Sequence, residues 1–229
     1  DIYELAWDIP GIVELHDYNI HPFLQQAYLN SEPDKYRMFL EEGYGTKGLQ
    51  HYYQIINNNA SPDIWIYPLC HAIVKRSKKV IVHSQWVARQ LLSIQIPVFV
   101  VPLFYASVDI EEQTSTPTDY RKKLGINDNS FIITCLGFIN ENKRPDVVIK
   151  AVRILIDKGY TIKLIFAGSL NAINVPSLIK EQNLSKETII TGYIEDDLYR
   201  GILSSSDIIV NLRYPTMGES SATLCEALS

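Results

Sequence analysis

Short apolar runs of strand character alternate with amphipathic helical runs along almost all of this 229-residue chain. That alternation is the mark of a parallel α/β architecture, because parallel strands need a crossover between them, ordinarily a helix. In the first half, residues 11–17 (GIVELHD), 79–83 (KVIVH) and 97–103 (PVFVVPL) are the strand-like runs. Helical patterns fall on 34–42, 47–57, 63–77 and 85–94, with Ser84 as the N-cap of the last. Residues 104–118 (FYASVDIEEQTSTPT) are polar and without period, as an interdomain linker is. The pattern then restarts with a helix at 119–124 ended by Gly125, a strand at 130–136, and a helix opened by Pro145. On that helix Val147, Val148, Ala151, Val152 and Leu155 form one apolar stripe. Further strands fall on 161–167, 187–191 and 207–212, with helices between. The expected domains are 1–106 and 119–229, joined by a linker at 107–118.

Charge and cysteine usage remove several function classes. Lys plus Arg is 21 against 26 for Asp plus Glu, so the chain has no excess positive charge with which to displace counterions from nucleic acid. No apolar run is long enough to span a bilayer, and no signal peptide opens the sequence. Cys70, Cys135 and Cys225 are odd in number and far apart. They read as buried free thiols of a reducing, cytoplasmic compartment, without a disulfide framework or zinc site. Residue 1 falls inside a folded pattern, and the chain stops at 225–229 inside a helical pattern with no C-cap. Both domains are therefore expected to be incomplete, and the 229-residue chain by itself to be inactive.

Gly43, Gly45 and Gly48 match G-x-G-x-x-G, but a helix precedes them rather than a strand. The dinucleotide fingerprint needs a strand before and a helix after, so this is a glycine-rich turn between helices. The second half is more informative. Strand 130–136 runs into Gly137, and Lys143 follows just before a helix start. Ligands of doubly wound sheets sit outside the C-terminal ends of strands, where a lysine and helix N–H groups can meet a diphosphate. Residues 211–228 (NLRYPTMGESSATLCEAL) read as a strand end, a Pro–Gly loop and a helix starting near Glu219 or Ser220. Backbone N–H groups of Ser220, Ser221 and Ala222 would face an anion there. Glu226 lies further along that helix, where its carboxylate could accept two ribose hydroxyls.

Taken together, these regions resemble the donor domain of retaining GT-B glycosyltransferases of family four, the group 1 glycosyl transferases. Lys143 and Glu226 match the family's lysine and second glutamate. Residues 191–194 (TGYI), with Ile194, resemble the segment whose backbone meets the nucleobase, and 205–210 (SSDIIV) resembles the strand entry before the glutamate motif. Two positions depart from the pattern. Phe138 stands where the family has an arginine, and Gly218 where it has the first glutamate, the carboxylate being at Glu219. Residues 213–221 (RYPTMGESS) resemble a subset of the family with Gly-Glu-Thr/Ser-Ser in this loop, and Arg213 is the candidate replacement for the missing cation.

The first half resembles the acceptor domain of the same family without its opening glycine-rich loop. His16 looks like the strand-end histidine close to the reacting sugar, while His21 reads as structural. Residues 80–86 (VIVHSQW) resemble the family's strand and helix start near the cleft. Lys75, Arg76, Lys78 and Lys79 admit two readings, a cationic helix C-terminus or a contact with anionic lipid at the inner face of the membrane.

The resemblance implies two Rossmann-like domains facing across a cleft. It also implies transfer of a sugar from a nucleotide diphosphate sugar to a glycan or lipid-linked acceptor, with retention of configuration. Lys143, Gly137, Ile194, Arg213, Ser220, Ser221, Ala222 and Glu226 would bind the donor, and His16 and Glu219 would face the reacting sugar. No cofactor or metal is implied, since lysine and helix dipoles supply the positive charge. The alternatives are a non-catalytic partner or glycan-binding scaffold of the same fold, and a sugar-nucleotide epimerase.

Overall fold

In the computed structural model, which describes residues 2–103, 117–127, 129–171 and 174–228, the chain divides into two units. The first comprises Asp1–Phe104 with Met217–Ser220, the second Tyr105–Thr216 with Ser221–Ser229. The linker expected at 107–118 lies outside the described residues up to 116.

The first unit runs α1 (Ile2–Asp8), β1 (Ile12–Leu15), α2 (His21–Tyr28), α3 (Pro33–Tyr44), α4 (Thr46–Ile56), α5 (Cys70–Arg76), β2 (Lys79–Val82), α6 (Gln85–Gln90) and β3 (Val98–Val100). Its strands pair in parallel in the order β1-β2-β3, with Val13 opposite Val80 and Val80 opposite Val98. Ser84 caps α6 as expected, accepting from Val87 N at 3.2 Å. The 43–48 segment joins two helices, as expected, but only Gly45 lies between them; Gly43 belongs to α3 and Gly48 to α4. Gly45 breaks the chain between α3 and α4 with φ 63°. Gly48 lets the two helices touch, since a Cβ there would lie 2.0 Å from the Leu40 carbonyl oxygen.

The helix expected over 63–77 begins only at Cys70. The groups it would need are claimed elsewhere. Pro68 lacks an N–H, the Leu69 N–H donates to Tyr44 Oη at 2.8 Å, and the Tyr67 carbonyl bonds His21 Nδ1. These bonds belong to a histidine–tyrosine network inside the unit. His21 Nε2 meets Tyr36 Oη at 2.5 Å, His71 Nε2 meets Tyr18 Oη at 3.1 Å, and Asp63 N donates to His51 Nε2 at 3.0 Å. His51 stacks on Tyr67 and His71 on Tyr44. The expected structural role of His21 is thus seen in place.

The second unit runs α7 (Pro117–Lys123), β4 (Phe131–Leu136), a 3-10 turn (Glu141–Lys143), α8 (Pro145–Asp157), β5 (Ile162–Ala167), α9 (Val175–Glu181), β6 (Thr188–Gly192), α10 (Asp196–Ser205), β7 (Ile208–Ile209) and α11 (Ala222–Leu228). All its sheet pairings are parallel, in the order β6-β5-β4-β7. Side chains alternate across the sheet, and the two faces carry separate cores. Ile133, Cys135, Leu164 and Phe166 pack with Val148, Ile149 and Val152 of α8 and Val175 and Ile179 of α9. Ile132, Leu136, Ile165 and Ala167 pack with Ile202, Leu198 and Tyr199 of α10. Gly201 lets α10 lie close against α7, because a Cβ there would fall 2.2 Å from the Tyr120 ring.

Two expectations shift here. The buried stripe of α8 is Val148, Ile149 and Val152, while Val147 and Ala151 face outward. The stripe therefore lies one residue on from the one read from the periodicity, with Ile149 in it. The strand expected over 207–212 pairs only at Ile208 and Ile209. Its start is taken over by the Asp207 carboxylate, which accepts from Ile132 N at 2.7 Å and from Arg121 at 2.8 Å. Among the described residues no helix is long and apolar enough to cross a membrane.

The histidine network makes the first unit acid-sensitive. Burial pushes the imidazoles of His21 and His71 down to about 4, from about 6.5 in an unfolded chain. A neutral buried histidine contributes stability that is complete above the unfolded value and lost as pH falls toward the folded one. For fully buried His21 the gap corresponds to roughly 3 kcal/mol. Urea denaturation followed between pH 7 and pH 4 should show stability falling steadily from about pH 6.5. A flat profile down to pH 4.5 would contradict this account of the core.

Candidate functional site

The C-terminal end of β4 runs into a loop shaped by two glycines. Gly137 has φ 83°, and its N–H donates to the Ala167 carbonyl at 2.8 Å. Gly168, with φ 138°, follows β5, and a Cβ there would lie 2.0 Å from the Gly137 oxygen. The two strand ends touch because Gly168 has no side chain. Beyond them Phe138 turns its ring outward, while Ile139 is buried and its N–H bonds the Ser169 carbonyl at 2.9 Å.

Asn140 then caps the 3-10 turn, its Oδ1 accepting from Lys143 N at 3.2 Å. This turn carries the Lys143 side chain back beneath the loop, where only 9% of the residue is exposed. Its Nζ donates to the Leu136 carbonyl and would lie 3.1 Å from a Cβ on Gly137. Burial, and after it the charge of Arg213, holds this ammonium below the ordinary lysine range. Cys135 gives no countercharge, since burial pushes its thiol up to about 12. Pro145 opens α8 immediately after, as expected, and Arg144 pairs with Asp146 at 3.0 Å.

Arg213 lies in the loop after β7. That loop is tied to the lysine turn by the Tyr214 N–H, which donates to the Asn142 carbonyl at 2.8 Å. The guanidinium Nε is buried without a hydrogen-bond partner. Two cations therefore share one end of the sheet, and among the described residues neither is in an ion pair.

Helix α11 begins at Ala222, later than the expected start at Glu219 or Ser220. Ser221 delays it by acting as the cap. Its Oγ accepts from Leu224 N at 3.3 Å and bonds Asn211 Oδ1 at 3.2 Å. Glu226 is half-buried on this helix and accepts a hydrogen bond from the Tyr199 hydroxyl. Thr223 of the same helix faces Gly137, its Oγ1 3.5 Å from a Cβ built there. Ile194 is half-buried in the core shared with α10, two residues beyond Gly192.

The other expected site residues lie in the first unit. Met217–Ser220 packs there, with Met217 in its core and the Gly218 carbonyl accepting from Ser84 Oγ at 3.2 Å. A Cβ on Gly218 would lie 2.2 Å from the Trp86 ring, and φ is 75°. A side chain at 218 would therefore be strained and would press on the Trp86 ring. Glu219 accepts from Met217 N at 3.1 Å within its own loop. His16 extends an exposed ring beyond β1, edge-on to His83 at 5.6 Å between centroids. His83, which sequence reasoning did not single out, bonds the Val101 carbonyl through Nδ1 at 2.8 Å.

The basic cluster is partly spent inside the unit. Lys75 donates to the carbonyls of Glu42 and Gly43 at 2.8 Å, so it closes the C-terminal end of α3 rather than its own helix. Arg76 lies over the Trp7 ring at 4.4 Å. Lys78 and Lys79 are exposed. Asn140, Gly168 and Tyr199 were also missed. Asn140 had a local signal, a capping side chain three residues before Lys143, whereas Tyr199 meets a residue 27 positions away.

Residues 117–228 match the family model described as Glycosyl transferases group 1. No curated protein matches the chain. Among solved structures, HepE of Anabaena, determined with UDP and glucose, is similar at 15% identity and a TM-score of 0.58, over 97% of this chain and 51% of that one. Sucrose-phosphate synthase of Thermosynechococcus elongatus is similar at 16% identity and TM-score 0.56, over 99% and 55%. WaaG, a glycosyltransferase involved in lipopolysaccharide biosynthesis, is similar at 15% identity and TM-score 0.58, over 96% and 55%. The chain spans about half the length of these structures. Its fold is that of GT-B glycosyltransferases with Rossmann-like parallel sheets, and its residues 117–228 carry the match to the group 1 glycosyl transferases.

Proposed function

We propose that the protein of which this chain is part transfers a sugar from a nucleotide diphosphate sugar to a hydroxyl of a glycan or lipid-linked acceptor, with retention of configuration. The observation that carries this reading is the pair of cations at the end of β4. Lys143 is buried and Arg213 is close enough to depress its proton affinity, with no carboxylate paired to either among the described residues. Like charges held together in a partly dry site repel, and a bound dianion removes that cost. A diphosphate also gains charge-assisted hydrogen bonds from both groups. In the bond-breaking step the same cations would stabilise the charge that develops on the leaving diphosphate, without a metal.

The remaining roles follow the resemblance. Glu226 takes the ribose hydroxyls, Gly137 and the backbone near Ile194 and Ser220–Ala222 border the donor, Glu219 meets its sugar, and His16 faces the reacting carbon. Phe138 favours a second reading, a non-catalytic scaffold, because an exposed aromatic ring stands where the family has an arginine. Incubating the full-length protein with UDP, GDP and ADP sugars, with proton NMR of the products, separates the two. A new glycoside with the donor's anomeric configuration is expected. An inverted product would remove retention, and an unchanged donor would favour the scaffold.

The cation pair has its own test. Lys143→Ala and Arg213→Ala should each weaken nucleoside diphosphate binding by roughly 1.5–3 kcal/mol in calorimetry. Affinity unchanged in either variant removes that residue from the site.

A further inference from the structure

We infer that Tyr199 is a positioning residue that sets the Glu226 carboxylate for ribose recognition; this rests on the donor reading above. The hydroxyl of Tyr199 donates to Glu226 Oε2, across from α10 to α11. The ring is anchored at its other end, packed against the core formed by Ile132, Leu136, Ile165 and Ile202. An aromatic side chain fixed by packing has little freedom left, so its hydroxyl is a donor at a defined point in space.

A glutamate carboxylate is the opposite. Its terminal torsion is broad and two-fold, and the group samples many orientations unless something holds it. Binding two adjacent ribose hydroxyls requires both carboxylate oxygens to face them in one plane. A carboxylate has about four acceptor positions, so a bond from Tyr199 and bonds from a ribose are not mutually exclusive. The Tyr199 bond selects the plane before the ligand arrives, and the ordering cost is not charged to binding.

Sequence position supports a dedicated role. Glu226 lies on α11, which the second unit reaches only after the loop from 210 to 221. Other groups of that helix are held locally, as Leu224 and Cys225 are by Ser221. The contact from Tyr199 instead ties the carboxylate itself to the sheet's own core. A tyrosine serving the core alone would not need its hydroxyl on the one carboxylate that the ribose reading requires.

The test uses the full-length protein and Tyr199→Phe, which keeps the ring and removes the donor. Calorimetry measures the affinities of UDP, GDP and ADP, and then of the tightest binder's 2′-deoxy counterpart. Wild-type protein is expected to prefer the ribonucleotide. In Tyr199→Phe the ribonucleotide should weaken about three- to tenfold, the scale of one side chain left to be ordered on binding. The 2′-deoxynucleotide should be unaffected, so that the preference shrinks.

An equal loss for both nucleotides would assign Tyr199 a merely structural role and overturn the inference. Tighter ribonucleotide binding in the variant would overturn it too, because Tyr199 would then be competing with the ribose. Either result leaves the donor reading standing. Wild-type protein that binds none of the three nucleotides overturns both.

Discussion

The ammonium of Lys143 lies inside the protein, and the architecture around the end of β4 is arranged to keep it there. Removing such a group from water costs several kcal/mol even after relaxation. One backbone acceptor, the Leu136 carbonyl, offsets part of that cost. The side chain has room because Gly137 has no Cβ, and Gly137 holds its conformation because Gly168 admits its oxygen. Asn140 fixes the turn that sends the lysine inward. Arg213 then adds a second positive charge to the same place. For ligand-free stability alone this is a poor arrangement, and a neutral side chain at 143 would be less costly to bury. Such costs concentrate where a site is prepared for a ligand that removes them.

The first unit spends its buried polar groups differently. His21, His51 and His71 each face a hydroxyl or a backbone group within a core rich in tyrosine. These bonds satisfy polar atoms that would otherwise be orphaned, and they specify how α2, α3, α4 and α5 meet. The same network explains why an apolar stretch that looks helpful to a helix, residues 63–69, is not one. Its Leu69 N–H and Tyr67 carbonyl serve Tyr44 and His21, and its Trp65 and Ile66 N–H groups turn back onto the Asp63 carboxylate.

Much of this was legible because it is local. The strands announce themselves by apolar runs bounded by polar residues, and Ser84, Pro145 and Gly125 punctuate the elements as their chemistry requires. The lysine was legible too, because a strand, a glycine and a helix start bracket it within 15 residues, from Phe131 to Pro145. What escaped depends on distant partners. Nothing near Gly218 reveals the Trp86 ring on which a side chain there would press, 132 residues back along the chain. The stripe on α8 slipped by one residue because Val147 and Ile149 are equally apolar, and only the sheet decides which is buried. The late start of α11 depends on Ser221 finding Asn211. The bond from Tyr199 to Glu226 has no local trace at all.

If the end of β4 is built for a diphosphate, an affinity ladder on the wild-type full-length protein will show it. Calorimetry would compare the nucleoside, the 5′-monophosphate and the 5′-diphosphate of whichever base binds. Contacts from two partly buried cations are expected to make the second phosphate the largest step, on the order of 2–3 kcal/mol, and to weaken with added salt less than surface pairs do. Equal affinities for monophosphate and diphosphate would contradict it, and Lys143 would then be a buried lysine serving the fold alone.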